Sequence, residues 1–169
     1  MTTEPTTEDE VSWHDNLIYA MQICAPDPEH QDWRSDLVLD IDHIVEWVCG
    51  ADGGVKFRVA PATLVFHDVT DLRVHLDMGS ASFGMAEGTP LALNELSIDG
   101  ITKTPAPPPG VTSSRPYHKW RIALNLPRNG ELTFGASGYT QTLRAEPLLL
   151  DEQRLSPRDR PSFGLARAV

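Results

Sequence analysis

Residues 120–134 have the sequence WRIALNLPRNGELTF, and this stretch carries the clearest structural signal in the chain. Its even-numbered residues from 120 to 126 are apolar and alternate with more polar neighbours, which is typical of a strand with one buried face. After the turn, Leu132 and Phe134 continue the alternation. We expect a three-residue turn, residues 128–130, because it pairs Leu126 with Leu132 and keeps the apolar residues on one face.

Runs with the same period of two recur along most of the chain. They lie at residues 17–23, 36–48, 55–59, 63–69, 72–76, 91–98 and 138–144. In the run at 91–98 the apolar residues change from odd to even positions, which predicts an irregularity near Asn94–Glu95. The chain has no convincing helical pattern. We therefore predict an all-β fold, an antiparallel sandwich or a partly open barrel of about eight or nine strands.

The chain of 169 residues has the length of one domain. Residues 1–10 are predicted to be a disordered acidic tail, because they contain almost nothing apolar to bury. Residues 11–150 are predicted to form a single β domain. Residues 104–116 contain five prolines and should be an extended connector. The polar residues 151–169 are predicted to be a loosely ordered C-terminal tail.

The net charge of −10 is spread unevenly. Residues 1–99 contain 19 acidic and 4 basic residues, which gives −15, whereas residues 100–169 contain 5 and 10, which gives +5. An acidic chain repels phosphate backbones and anionic lipids, so nucleic acid and membrane are excluded as expected partners. A protein with a basic surface fits better, although the basic third of the chain could also face the chain's own acidic half.

The two cysteines, Cys24 and Cys49, have no metal-binding spacing, and we expect buried free thiols. No secretory signal or apolar run of membrane-spanning length is present in the sequence. Together these features predict a cytoplasmic protein.

Imidazole and carboxylate side chains occur in pairs that suggest a metal site. His14, His67 and Asp68 are the candidate ligands, since neutral nitrogen and anionic oxygen bind divalent metals and a metal-bound water would make a hydrolase. Adjacent residues of a strand point to opposite faces, so His67 and Asp68 could share one metal only if the backbone bends there. The alternative is that these histidines are structural. No motif predicts another catalytic residue or a cofactor.

Acidic residues are concentrated in one predicted strand, and these are Asp36, Asp40, Asp42 and Glu46. They could form an acidic face that steers a basic protein partner. The alternative is an ordinary solvated strand face.

The sequence Trp13-His14-Asp15-Asn16, which leads directly into an apolar strand, resembles the opening of small bacterial β proteins with no assigned activity. Some of those proteins are found among the immunity proteins that neutralise toxins. The run 66–72, FHDVTDL, looks like an internal motif of the same kind. The resemblance covers only short islands and implies a non-enzymatic binding role without identifying functional residues.

Three functional hypotheses follow from the sequence. The first is a protein-binding or accessory module without catalysis, immunity-like in the sense of the resemblance. The second is a small metal-dependent hydrolase that uses the His/Asp cluster, and the third is a carrier of a small ligand. Unpaired strand edges also make a homodimer plausible.

Overall fold

The computed structural model describes residues 13–33, 35–51, 53–77, 95–108 and 116–161. Within these ranges nine strands form, with one short 3-10 helix at Pro28–His30 after β1. The strands are β1 (Leu17–Cys24), β2 (Asp36–Cys49), β3 (Val55–His67), β4 (Thr70–His75), β5 (Leu96–Pro105), β6 (His118–Leu126), β7 (Glu131–Ala136), β8 (Gly138–Leu143) and β9 (Leu148–Leu150). The all-β prediction is confirmed.

The strands form one antiparallel sheet that is not closed into a barrel. Its order is β4-β7-β6-β5-β1-β2-β3-β8, and β9 pairs with β3 beside β8. One face of the sheet carries the main core, and residues from distant parts of this face contact each other. The ring centroid of Phe66 in β3 lies 4.8 Å from that of Phe134 in β7 and 5.3 Å from that of Trp120 in β6. These strands are far apart in the sheet order, so the sheet must curl strongly to bring them together.

β3 is a single long strand that changes partner at a proline. Residues 57–59 pair with β9 and residues 62–67 with β8, and Pro61 lies in the gap between these two ladders. Proline has no N–H to donate to a ladder, so this gap is a position that it tolerates. Its carbonyl still accepts the Arg144 N–H at 2.7 Å, which fixes the end of β8 to β3.

The turn between β6 and β7 is longer than the sequence indicated. The pairing joins Trp120 with Phe134 and Ile122 with Leu132, so the expected pair of Leu126 and Leu132 was wrong. Trp120, Ile122 and Leu124 nevertheless share one face with Leu132 and Phe134, because the expected and observed registers differ by an even number of residues. Asn129, rather than a glycine, adopts the left-handed conformation in this turn.

A second, smaller apolar cluster lies on the face of the sheet opposite the main core. Leu155 is 2% exposed and packs with Ile44 of β2 and Val59 of β3. The C-terminal segment 151–161 is therefore anchored to this outer face by a buried side chain. The prediction of a loose tail from residue 151 did not include this contact.

Several expectations fall outside the described residues or concern the chain ends. The acidic tail 1–10, the first half of the run at 91–98, the centre of the proline-rich connector and residues 162–169 lie outside the described residues. Within β5, register shifts occur between Ser97 and Gly100, close to the expected irregularity. Among the described residues, no helix is long and apolar enough to cross a membrane.

Neither cysteine forms a disulfide, and the expectation that both are buried was wrong, because Cys24 is half-buried and Cys49 is exposed. Cys24 pairs with Asp36 at one end of β2, and Cys49 ends the same strand. At about 3.3 Å per residue these ends are roughly 40 Å apart, too far for a disulfide.

Candidate functional site

A cleft opens between β1 and the C-terminal segment. One depression of about 770 Å³ is lined by Leu17, Ile18 and Tyr19 on one side and by residues from 150–160 on the other. A second depression of about 630 Å³ adjoins it and shares five lining residues, which are Leu17, Glu95, Asp151, Glu152 and Arg154. We call the two depressions together the acidic cleft.

The wall of the cleft is held in place by a buried ion pair on the outer face of β2. Asp42 alternates along the strand with the core residue Ile41 and therefore points to the outer face. Its carboxylate is fully buried and accepts hydrogen bonds from Nε of Arg160 at 3.1 Å, from Nη2 of Arg160 at 2.7 Å and from the Leu155 N–H at 3.1 Å. This bidentate arrangement compensates the buried charge and fixes the segment at two points.

A second buried carboxylate lies two residues earlier on the same face. Asp40 is 2% exposed and accepts a hydrogen bond from the Thr63 hydroxyl at 2.5 Å and from Nη1 of Arg144 at 3.3 Å. Asp40 and Asp42 thus each use an arginine from the basic third of the chain. For these two ion pairs, the basic third of the chain contacts the acidic part of the same chain, as one of the two alternatives from the sequence proposed.

Tyr19 connects this polar network to the cleft. The register of β1 shifts between Ile18 and Ala20, so Tyr19 occupies a bulge, and its ring lies under the Arg160 guanidinium at 4.7 Å. Its hydroxyl is buried and has no hydrogen-bond partner within the described part of the chain. Burial raises the pKa of the Tyr19 hydroxyl, and the nearby carboxylates of Asp40 and Asp42 raise it further, against the opposing effect of the two arginines. The neutral phenol is therefore a donor without an acceptor.

The rim of the cleft is acidic. The residues that line the two depressions include five carboxylates, Asp15, Glu95, Asp151, Glu152 and Asp159, and two guanidinium groups, those of Arg154 and Arg160. The net charge of the lining residues is therefore −3, and the charge of Arg160 is already neutralised by its ion pair with Asp42. The side chains of Asp151 and Glu152 are 82% and 73% exposed, and each forms a surface ion pair, with Lys56 at 3.0 Å and with Arg154 at 3.4 Å. Such exposed pairs are weak, so both carboxylates remain accessible to a partner.

Polar contacts also fix the end of the cleft where β1 begins. Asp15 accepts hydrogen bonds from the side-chain amides of Asn125 at 3.2 Å and Gln153 at 3.3 Å. The next residue, Asn16, is fully buried, accepts the Ile44 N–H at 3.1 Å and donates to Nδ1 of His43 at 2.9 Å. Burial lowers the pKa of the His43 imidazole, which is therefore neutral near pH 7.

The structure does not support an acidic face made of the four residues expected from the sequence. Asp40 and Asp42 are buried in ion pairs, so they cannot meet a partner. Asp36 lies 3.6 Å from Nδ1 of His67, and Glu46 is exposed but lies 2.9 Å from Nε of Arg58. The acidic residues that do line a cleft come mainly from the segment that begins at residue 151.

The three candidate metal ligands do not come together as one site. His14 contacts Asp15 at 3.1 Å, whereas His67 contacts Asp36 and the Thr140 hydroxyl. The carboxylate of Asp68 accepts a hydrogen bond from the Ser137 hydroxyl at 2.6 Å. Across the described ranges, no group of three or more His, Cys, Asp or Glu side chains could hold a metal ion. The arrangement that the hydrolase hypothesis requires is therefore not found there.

Comparison with known proteins adds no assignment to this site. No protein-family model matches the sequence, and no curated protein or solved structure is significantly similar to it. The sequence pattern missed the roles of Tyr19, Leu155 and Arg160. The available signal was the pair of acids among the apolar residues 37–44, because buried carboxylates require cations from elsewhere in the chain.

Proposed function

We propose that this protein is a non-enzymatic binding module whose acidic cleft docks a basic segment of another protein. The observation that carries the proposal is the −3 charge of the lining residues, in which the exposed carboxylates outnumber the available cations. Complementary charge accelerates encounter with a basic partner and selects against acidic ones.

Apolar side chains in the same cleft would supply a hydrophobic contact for the partner, which the charged rim cannot provide. Leu126 is 40% exposed and lines one depression together with Leu17 and Phe57. Interfaces gain most of their affinity from a desolvated apolar centre, with the polar rim adding specificity. We therefore expect a partner segment with lysine or arginine on both sides of one large apolar residue.

A binding role also agrees with how the buried polar groups are used. Asp40 and Asp42 are bound to arginines of the same chain, so their role is to position the cleft rather than to react. The resemblance of residues 13–16 to small bacterial proteins, some of them toxin-immunity proteins, supports the same class of function. A reducing cytoplasm suits two cysteines that form no disulfide.

The test uses a panel of synthetic peptides in which arginines flank a central leucine, phenylalanine or tryptophan. Binding is measured by isothermal titration calorimetry at low and high salt, and the site is mapped by NMR chemical-shift changes. We expect the shifts to cluster at Leu17, Tyr19 and Leu126. The double variant Asp151→Asn/Glu152→Gln should weaken binding by about fivefold, since exposed carboxylates contribute roughly 0.2–1 kcal/mol each.

The matched control is Glu29→Gln, which removes an exposed carboxylate outside the cleft. This control should leave the dissociation constant close to that of the wild type once its single charge is allowed for. Equal weakening per charge in both variants would mean that only net charge matters, and peptide shifts outside the cleft would place the binding surface elsewhere. Either result would overturn the proposal.

A small-ligand carrier is the second candidate, and the unpaired Tyr19 hydroxyl favours it. The depression of about 770 Å³ lies within the size range of ligand pockets, roughly 300–1,000 Å³. The acidic lining suits a small cation that also carries an oxygen acceptor for the phenol. A thermal-shift assay with amino alcohols would show stabilisation that Tyr19→Phe removes. An unchanged melting temperature across the panel would count against this candidate.

A further inference from the structure

β2 has an open edge beyond the point where β1 begins. The pairing of β1 with β2 starts at Leu17 and Asp42, so residues 43–49 continue past β1 with no strand partner on that side among the described residues. The Asn16 side chain accepts the Ile44 N–H and thereby ends the ladder. The following five residues, 45–49, read VEWVC, and we call them the β2 edge.

The alternation of hydrogen bonds shows which backbone groups face outward along the β2 edge. The Gly50 N–H donates to the Gly54 carbonyl at 2.7 Å, which makes residues 50 and 54 a hydrogen-bonded pair. Hydrogen-bonded and non-hydrogen-bonded pairs alternate in an antiparallel ladder. The Trp47–Phe57 and Cys49–Val55 pairs are therefore non-hydrogen-bonded, and the N–H and C=O groups of Trp47 and Cys49 point away from β3.

The β2 edge is also mostly apolar, with Glu46 as its one charged residue. Trp47 is 53% exposed and Val45 44%, and Trp47 stacks edge-on against Phe57 at 4.9 Å. The β2 edge has no proline and no lysine, and such residues normally block edge-to-edge pairing. The β2 edge has a register shift against β3 at Val45, but its pairing is regular from Glu46 to Cys49. The open edge strand β4 is more polar and carries Asp71, Arg73 and His75.

The charges around the β2 edge are compensated locally, although the whole chain carries −10. Glu46 lies 2.9 Å from Nε of Arg58, and Nζ of Lys56 lies 3.0 Å from Asp151. Two copies of an acidic protein repel each other over most of their surfaces. A contact between copies is least costly where the charges of each copy already cancel.

We propose that the β2 edge pairs with the β2 edge of a second copy, antiparallel and across a two-fold axis, to form a continuous sheet. In the register that we infer, Val48 faces Val48 of the second copy, and Trp47 faces Cys49. Only this register pairs the outward backbone groups of Trp47 and Cys49 with each other, giving about four intermolecular hydrogen bonds. It also places Glu46 opposite Gly50, so the two glutamates do not face each other.

The first measurement is sedimentation equilibrium of the full chain across a wide concentration range. We expect a mass twice that of the chain for the wild type. Cys49→Lys places an ammonium group on the β2 edge without touching the stacking of Trp47 on Phe57, and it should weaken self-association at least about tenfold. The matched control Val74→Lys adds the same charge at an exposed valine of β4 and should leave the dimer intact.

The register is tested by cross-linking in a background that lacks the native edge thiol. In the variant Val48→Cys/Cys49→Ser, the two introduced thiols lie on a non-hydrogen-bonded pair with Cα atoms about 4.5 Å apart, within the range of a disulfide. We expect oxidation to give a covalent dimer, and Val45→Cys/Cys49→Ser to give none. A monomer at all concentrations, a dimer unaffected by Cys49→Lys, or cross-linking only at residue 45 would each overturn the proposal. Circular dichroism of each variant is compared with that of the wild type to check that the variant is folded.

Discussion

Replacing Asp42 with alanine tests whether the buried ion pair holds the C-terminal segment on the sheet. The carboxylate of Asp42 accepts three hydrogen bonds from Arg160 and Leu155, and both side chains of the ion pair are mostly buried. Its loss leaves a guanidinium and a backbone N–H without their acceptor. Breaking a buried pair from one side costs about 3–5 kcal/mol. For a chain of this length that corresponds to a fall in Tm of roughly 6–20 °C.

The assay is thermal and urea unfolding of the wild type, Asp42→Ala, Arg160→Ala and the double variant. Because the double variant removes both charges, it should be more stable than the sum of the two single changes implies. Glu46→Ala is the matched control, since the Glu46–Arg58 pair is exposed and contributes about 0–1 kcal/mol. If Asp42→Ala were no more destabilising than Glu46→Ala, the claim that this pair fixes the segment would be refuted.

Three further predictions concern single side chains. Gly135→Ala should destabilise the protein by about 1–3 kcal/mol in urea unfolding, because a Cβ at residue 135 would lie 2.7 Å from the Tyr117 hydroxyl. Adding Tyr117→Phe to Gly135→Ala should recover part of the lost stability. Tyr19→Phe should raise the unfolding free energy by up to roughly 1–3 kcal/mol, because it removes a buried donor without an acceptor, and a clear loss of stability would show that the hydroxyl has a partner. Burial lowers the pKa of His43 in the folded state, so below about pH 6.5 the unfolded chain binds more protons and the free energy of unfolding should fall. In urea unfolding, His43→Gln should show a shallower pH dependence of that free energy between pH 7 and 5.

The fold class follows from the sequence because period-two alternation reports directly on which face of a strand is buried. It holds for β6 and β7, where Trp120, Ile122, Leu124, Leu132 and Phe134 all belong to the core. Leu126, at the end of β6, is instead 40% exposed. Loop length is not encoded in that period. A shift by an even number of residues keeps every side chain on its face, so the alternation could not distinguish the observed pairing of Ile122 with Leu132 from the expected pairing of Leu126 with Leu132.

The candidate site could not be predicted from the sequence, because the residues that form it are far apart along the chain. Asp42 and Arg160 are 118 residues apart, and no local pattern relates them. The acidic residues of β2 suggested a solvated face, which is the usual position of carboxylates. Only the three-dimensional arrangement shows that two of them are buried by arginines from residues 144 and 160, and that the exposed carboxylates lie on the segment that covers them.

The contact between Asp42 and the C-terminal segment has a consequence for synthesis on the ribosome. The chain emerges from its N-terminus, so β2 is available long before Leu155 and Arg160 have left the exit tunnel. Until then Asp42 has neither of its donors, and Ile44 and Val59 lack the leucine that covers them. We expect a released chain that ends before residue 155 to be more sensitive to protease than one that extends past residue 160, because only the longer chain supplies Leu155 and Arg160 to β2. The outer face of β2 is therefore completed late, when residues 155–160 reach the sheet.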